Sequence, residues 1–221
     1  MAASRRVLVA EEVREFASRV AAPDDIEIEW LPATRDVPSG DYVGLLPLLT
    51  RRIDASLVDR LPNLKVVANY AVGFDNIDLA ALRKRGIAVS NTPDVLTEAT
   101  ADLTWALILA VTRRVNEAEH LAREGEWAWH PTLLLGTQLG GLTLGLLGAG
   151  RIGQAVGRRA VPFGMEIAYW DRQAQAEFEA EVGARRYDSL EDILAVADVV
   201  SVHLQLSQET ADLIGAESIS V

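Results

Sequence analysis

The stretch from Leu142 to Ala160, LTLGLLGAGRIGQAVGRRA, constrains the fold of this chain more than any other. An apolar, strand-like run enters Gly148-Ala149-Gly150-Arg151-Ile152-Gly153, and a helical pattern leaves it. This is G-x-G-x-x-G in the context that the pattern requires, with a strand before it and a helix after. The first glycine permits a tight turn. The second lets a pyrophosphate approach the backbone, and the third lets helix and strand pack closely. Unpaired N–H groups and the helix dipole then favour an anion. The acidic partner is present, because Asp171 ends the run EIAYWD, 18 residues after Gly153. A carboxylate there accepts hydrogen bonds from ribose hydroxyls and repels a 2′-phosphate, which favours NAD over NADP. Arg172 beside it is able to pair with that phosphate, so NADP stays open. The glycines alone also fit a structural turn that holds no ligand.

Strand-like and helix-like segments alternate around this turn. RRVLVA, IEIEW, DYVGLLPLL, KVVANYAVG and GIAVSNTP read as strands, with EEVREFASRVAA and DLAALRKRG as helices between them. Such alternation predicts an α/β unit with a parallel sheet. From Thr97 to Gly125 there is no proline and no internal glycine, which predicts one long helix with Thr97 as its cap. Its middle, Trp105 to Val111, is apolar nearly all round, the pattern of a buried helix. AWHPTLLLGTQLGG follows as an uncharged, aromatic, irregular segment. A second series then runs LTLGLLG, helix, EIAYWD, helix, DVVSVHLQL. The expected organisation is two units, residues 1–96 and 97–221, joined through the long helix.

Composition excludes several classes. The 221 residues contain no cysteine, so disulfide scaffolds and thiolate catalysis are ruled out. The formal net charge of −11, with no basic cluster, argues against a nucleic-acid surface. MAASRRVLVAEE lacks the long apolar run of a signal peptide, and LTWALILAV is too short to span a bilayer. A soluble, cytoplasmic protein is expected. No metal-ligand spacing occurs among the histidines and carboxylates.

NYAVGFDNIDLAALRKRGIAVSNTPDVLTEATADLTWALILA, together with LGLLGAGRIGQAVGRRAVPFGMEIAYWDR, resembles the D-isomer-specific 2-hydroxyacid dehydrogenases, and within them the glyoxylate/hydroxypyruvate reductases. The resemblance covers almost the whole chain. It implies a flavodoxin-like substrate domain followed by a Rossmann-type NAD-binding domain. Cofactor contacts would fall on Gly148, Gly150, Arg151, Ile152, Gly153, Asp171 and Arg172. His203 and Leu204, at the end of VVSVHLQL, would line the nicotinamide side. Gln205 stands where the family usually has proline. YAVGFDNID resembles the loop that holds a substrate carboxylate through N–H groups at Val72 and Gly73. Read from spacing alone it is an ordinary turn, with Asp75 as a helix cap. Leu49 and Thr50 would form the rim of the substrate cleft. EWAWHPTLLLG resembles a dimerisation arm, which implies a homodimer through residues 97–140. By composition Trp127 and Trp129 suit their own core equally well.

Reduction of a 2-keto acid such as glyoxylate or hydroxypyruvate needs a proton donor and a cation that polarises the carbonyl. The family supplies these through a His, a Glu that orients it, and an Arg in a later segment. That motif is not found in these 221 residues, so no catalytic residue is assigned and the Rossmann unit is expected to be incomplete, with DVVSVHLQL as an open apolar edge. His120, His130 and His203 are the histidines present, and none carries the family's acid motif. The expectation is an NAD(P)-dependent 2-hydroxyacid dehydrogenase by descent. The alternative is a non-catalytic NAD-binding or dimerising fragment. Phosphoglycerate-, glycerate- and formate-type substrates stay open within the family.

Overall fold

RRVLVA forms the first strand, β1 (Arg5–Ala10), because its apolar run Leu8–Ala10 is buried on both faces of a parallel sheet while Arg5 stays exposed. In the computed structural model, which describes residues 5–17, 19, 21–125, 127–207 and 209–219, the chain divides into two units, Met1–Asp94 and Val95–Val221.

In the first unit β1 is followed by β2 (Ile26–Leu31), β3 (Gly44–Leu46), β4 (Val66–Ala68) and β5 (Ala88–Ser90). All four pairings are parallel, in the order β2-β1-β3-β4-β5. This is the flavodoxin-like order, with the winding reversed between β1 and β3. The helices α1 (Arg14–Ala17), α2 (Ala55–Asp59) and α3 (Leu79–Lys84) are short. Leu8, Leu45 and Val67 from the sheet pack with Ile53, Leu57, Val58, Leu61 and Leu82. The helix read in EEVREFASRVAA is a 3-10 turn, Glu11–Val13, leading into α1, and Ser18 and Val20 lie outside the described residues. Asp75 is not the cap of the following helix. Asp78 is, its Oδ1 accepting from the Ala81 N–H at 2.9 Å, because the turn runs three residues further before helical geometry begins.

The second unit begins with α4 (Thr97–Thr112) and α5 (Val115–Glu124). The single long helix expected there is broken. Arg114 takes a left-handed conformation, φ 54°, held by a two-pronged pair with Glu117. The Thr112 carbonyl accepts from the Thr137 N–H at 2.7 Å. The break therefore satisfies a terminal carbonyl of α4 through a segment far along the chain, which no local pattern reveals. Thr97 is not the cap either: Leu96 holds that position and makes no side-chain capping bond. Nor is α4 buried all round. Ala101, Trp105 and Ile108 face the core, whereas Leu103, Leu107 and Val111 are exposed.

Then come β6 (Thr143–Leu147), α6 (Arg151–Ala160), β7 (Glu166–Trp170), α7 (Ala176–Val182), β8 (Arg185–Tyr187), α8 (Leu190–Leu194), β9 (Val199–Val202) and α9 (Ala216–Ile219). The short β8, which pairs with β7, is absent from the sequence reading because two arginines and a tyrosine carry no apolar run. The parallel order is β8-β7-β6-β9, the 3-2-1-4 winding of a Rossmann sheet with its reversal between β6 and β9. Among the described residues β9 pairs with β6 alone, and its Val200 and Val202 are exposed. Helix α4 packs on α6 through Trp105, whose Nε1–H donates to the Val156 carbonyl at 2.9 Å and whose ring stacks on Phe163 at 4.5 Å. No helix among the described residues is long and apolar enough to cross a membrane.

Trp105→Ala removes a buried ring and a donor together. It is expected to cost the second unit about 3–5 kcal/mol in urea unfolding, whereas a surface change such as Glu124→Gln costs little. In the first unit the Tyr42 hydroxyl donates to Glu29 at 2.6 Å and Arg6 pairs with the same carboxylate. The Tyr42 bond first, then the Arg6 and Arg35 charges, hold the Glu29 carboxyl below its ordinary range despite opposing desolvation. A depressed carboxylate stabilises the fold above its unfolded pKa, and that contribution is lost as pH falls through the folded value. The stability gap between wild type and Glu29→Gln should be full at neutral pH and shrink on acidification below the ordinary carboxylate range. A gap independent of pH would contradict this network.

Candidate functional site

The glycine turn lies where the winding of the second sheet reverses, at the carboxyl ends of β6 and β9. Open α/β sheets leave a crevice at such a point. Gly148 closes the strand with φ 96°, a conformation that side chains rarely adopt. Its N–H donates to the Trp170 carbonyl at 2.8 Å, and a Cβ there would stand 2.9 Å from the His203 carbonyl oxygen. A Cβ at Gly153 would fall far inside contact distance of the Gly148 carbonyl oxygen. A Cβ at Gly150, by contrast, would meet nothing within 4 Å. The first and third glycines are thus required by the protein's own packing, while the second faces open space at the start of α6.

That open space is lined with donors. Gly150 caps α6 without a side-chain bond, and the first turn of the helix carries no acidic residue. No carboxylate in the first turn of this ten-residue helix therefore offsets its positive end. Gln154 Nε2 donates to the Ala149 carbonyl at 2.9 Å and to Gln175 at 3.2 Å. In a trans peptide the N–H points opposite to the C=O. Tying down the Ala149 carbonyl therefore turns the Gly150 N–H away from Gln154. Neither Gln154 nor Gln175 figured in the sequence reading, since glutamines outside the glycine pattern carry no signal there.

Asp171 sits one residue past β7 and reaches the turn. Its Oδ2 accepts from the Ala149 N–H at 2.9 Å and its Oδ1 from the Gln173 N–H at 3.2 Å. Two backbone bonds fix the carboxylate and leave lone pairs for a diol. Arg172 is well exposed and pairs loosely with Glu209 at 3.5 Å. Arg186, also unread in the sequence, donates to the Asp171 carbonyl at 3.1 Å and pairs with Asp188 at 2.9 Å. Two guanidinium groups therefore flank the acid. The Ile152 side chain packs against the core of this unit, so its backbone is what it offers a ligand. Arg151 is exposed at the helix start.

His203 lies one residue beyond β9 rather than inside it, tied to the sheet by its N–H donating to the Leu147 carbonyl at 2.7 Å. Its Nε2 is 2.9 Å from the Ser201 hydroxyl, and burial lowers its pKa, so the ring is neutral at pH 7. Leu204 lies against Gly148. The remaining histidines are elsewhere: His120 pairs with Glu124 on the exposed face of α5, and His130 bonds Thr132. No group of three or more metal-ligating side chains occurs among the described residues.

In the first unit Leu49, Thr50, Arg52 and the segment Asp75–Asp78 line one recess. Val72 is half-buried and Gly73 exposed on the loop leading to it. Asn69 Nδ2 donates to the Gly73 carbonyl at 2.8 Å, and Asn91 Nδ2 to the Val72 carbonyl at 2.9 Å. Trp127 and Trp129 are exposed, so they do not fill the core of their own unit.

Residues 105–221 match the family model of the D-isomer specific 2-hydroxyacid dehydrogenase, NAD binding domain. A glyoxylate reductase of Thermococcus kodakarensis is 47% identical over 206 residues, which are 88% of this chain and 62% of that protein. A glyoxylate reductase of Aeropyrum pernix is 52% identical over 183 residues, 80% of this chain and 54% of that one. The chain thus spans little more than half the length of these relatives. The crystal structure of a D-lactate dehydrogenase from Aquifex aeolicus, complexed with NAD and lactic acid, is similar with a TM-score of 0.88 at 28% identity, over 98% of this chain and 65% of that one. A glycine turn at the sheet reversal, an acid fixed beside it, and these matches lead to one conclusion: the chain belongs to the D-isomer specific 2-hydroxyacid dehydrogenase family.

Proposed function

We propose that this chain binds NAD in its second unit and a small 2-keto or 2-hydroxy acid on its first, as part of a glyoxylate-reductase-type oxidoreductase. The observation that carries the reading is the Asp171 carboxylate, bonded to the Ala149 N–H at 2.9 Å beside an open helix start. Gly150, Arg151 and Ile152 would hold the pyrophosphate through backbone N–H groups, with Gly148 and Gly153 making the close turn. Asp171 would accept from the adenosine ribose hydroxyls, and Arg172 would cover that end. His203 and Leu204 would wall the nicotinamide side. Bound NADH supplies a hydride for carbonyl reduction. The chain's own part is to hold the acid through Val72 and Gly73, with Leu49 and Thr50 at the rim, and to keep a neutral imidazole at His203 beside the turn.

The relatives named glyoxylate reductase support glyoxylate or hydroxypyruvate as the substrate. Exposed Trp127 and Trp129, on an uncharged segment, support a homodimer through residues 97–140, because aromatic residues are enriched at interface cores.

Three outcomes test these assignments. NADH should quench and shift the tryptophan emission of the wild-type chain, and Gly153→Val should abolish binding. Asp171→Ala should weaken NADH by about tenfold to a hundredfold, on the scale of a lost charged hydrogen-bond pair, and narrow the preference over NADPH. Equal affinity of Asp171→Ala and wild type for NADH would overturn the ribose assignment. For the dimer, replacing Trp127 and Trp129 by Ser should shift sedimentation toward the monomer, whereas an unchanged profile would place the interface elsewhere.

A further inference from the structure

Asn69 is, among the described residues, the buried polar side chain, only 1% exposed. Burying an amide is unfavourable unless each of its groups is bonded. Its Nδ2 donates to the Gly73 carbonyl at 2.8 Å and lies 3.2 Å from Asn76 Oδ1. Asn76 in turn donates to the Arg51 carbonyl at 3.0 Å, so the two amides bridge the loop after β4 to the loop after β3. Asn91, just past β5, donates to the Val72 carbonyl at 2.9 Å, and the Thr92 N–H donates to the Ala71 carbonyl at 3.0 Å.

Three successive carbonyls, at Ala71, Val72 and Gly73, are therefore each tied to the body of the unit. The chain has no cis peptide among its described residues, so in each of these units the N–H points away from the C=O. Anchoring the three carbonyls turns the N–H groups of Val72, Gly73 and Phe74 outward. No backbone or side-chain acceptor takes these three donors among the described residues. Consecutive outward N–H groups form an anion-binding concavity. Gly73 is exposed and Val72 and Phe74 are half-buried, so the donors lie at the surface rather than in the core.

We propose that Asn69 and Asn91 are positioning residues for the substrate carboxylate: by holding the Gly73 and Val72 carbonyls they aim the Phe74 and Gly73 N–H groups at it, with Thr92 doing the same for Val72. This rests on the reading of the Val72–Gly73 loop as the acid-binding loop, and it adds the Phe74 N–H to the donors. Asn76 completes the arrangement by saturating Asn69, which keeps that amide from rotating. Asp75 opposes it. A Cβ at Gly73 would stand 3.2 Å from Asp75 Oδ1, so a carboxylate borders the donors and limits the affinity for an anion.

The test uses oxamate, a non-reacting 2-keto acid mimic, and the 15N-labelled 221-residue chain. Oxamate should shift the amide signals of Val72, Gly73 and Phe74 in the wild type. Asn91→Ala should weaken oxamate roughly five- to tenfold, the worth of one lost hydrogen bond, and reduce the Gly73 shift. Asn69→Ser should weaken it at least as much and reduce the Phe74 shift. Asp75→Asn should tighten it. The amide signals of the buried Leu8, Leu45 and Leu82 should stay in place in all three, which separates a lost aim from a lost fold of the first unit, and Asn91→Ala serves if Asn69→Ser does not fold. A wild type whose loop amides ignore oxamate would overturn the acid-binding loop and this proposal with it. Loop amides that respond in the wild type and equally in Asn91→Ala and Asn69→Ser would overturn the positioning role alone.

Discussion

The Gly148 carbonyl oxygen occupies the space that a side chain on residue 153 would need. That approach brings the end of β6 directly onto the start of α6 and fixes where the helix points. The same turn brings the His203 carbonyl after β9 close to Gly148 and the Asp171 carboxylate against the Ala149 N–H. Bulk at either glycine would push the helix off the strand and separate the acid from the turn. The remaining packing, from Trp105 on Val156 to Phe178 against Gly157, holds α6 in this place.

The two units solve a similar problem in a similar way. Each turns backbone N–H groups outward, and each does so by occupying the carbonyl of the same peptide with a side-chain amide. Gln154 takes the Ala149 carbonyl, and Asn91 and Asn69 take those of Val72 and Gly73. Uncharged amides suit this task because they fix direction without adding charge beside an anion. The local charge differs between the sites. The start of α6 carries no acid in its first turn, whereas Asp75 borders the loop of the first unit.

Much of this was legible in the residues. The glycine pattern, the preceding apolar run and Asp171 lie within one contiguous stretch, so their geometry follows from local rules. The α/β alternation gave both parallel sheets for the same reason. What escaped depends on partners distant in sequence. The break at Arg114 relies on the Thr137 N–H donating to the Thr112 carbonyl at the end of α4, and Arg186 reaches Asp171 from a strand too polar to read as one. The amides of Asn69, Asn76 and Asn91 look like ordinary loop polarity until β3, β4 and β5 bring them together. The buried helix expected at Trp105–Val111 failed for a related reason. Apolar composition marks what a helix is able to bury, and here Leu103, Leu107 and Val111 stay exposed.

The central claim is that a dinucleotide lies across the glycine turn of the second unit. The most direct measurement is the amide spectrum of the chain labelled with 15N-glycine, recorded as NADH is added. The account predicts large shifts at Gly150 and Gly153, where the pyrophosphate meets the helix start, with Gly86 and Gly183 unmoved. Glycine signals at 148, 150 and 153 that stay in place while NADH is bound would put the cofactor elsewhere and contradict it.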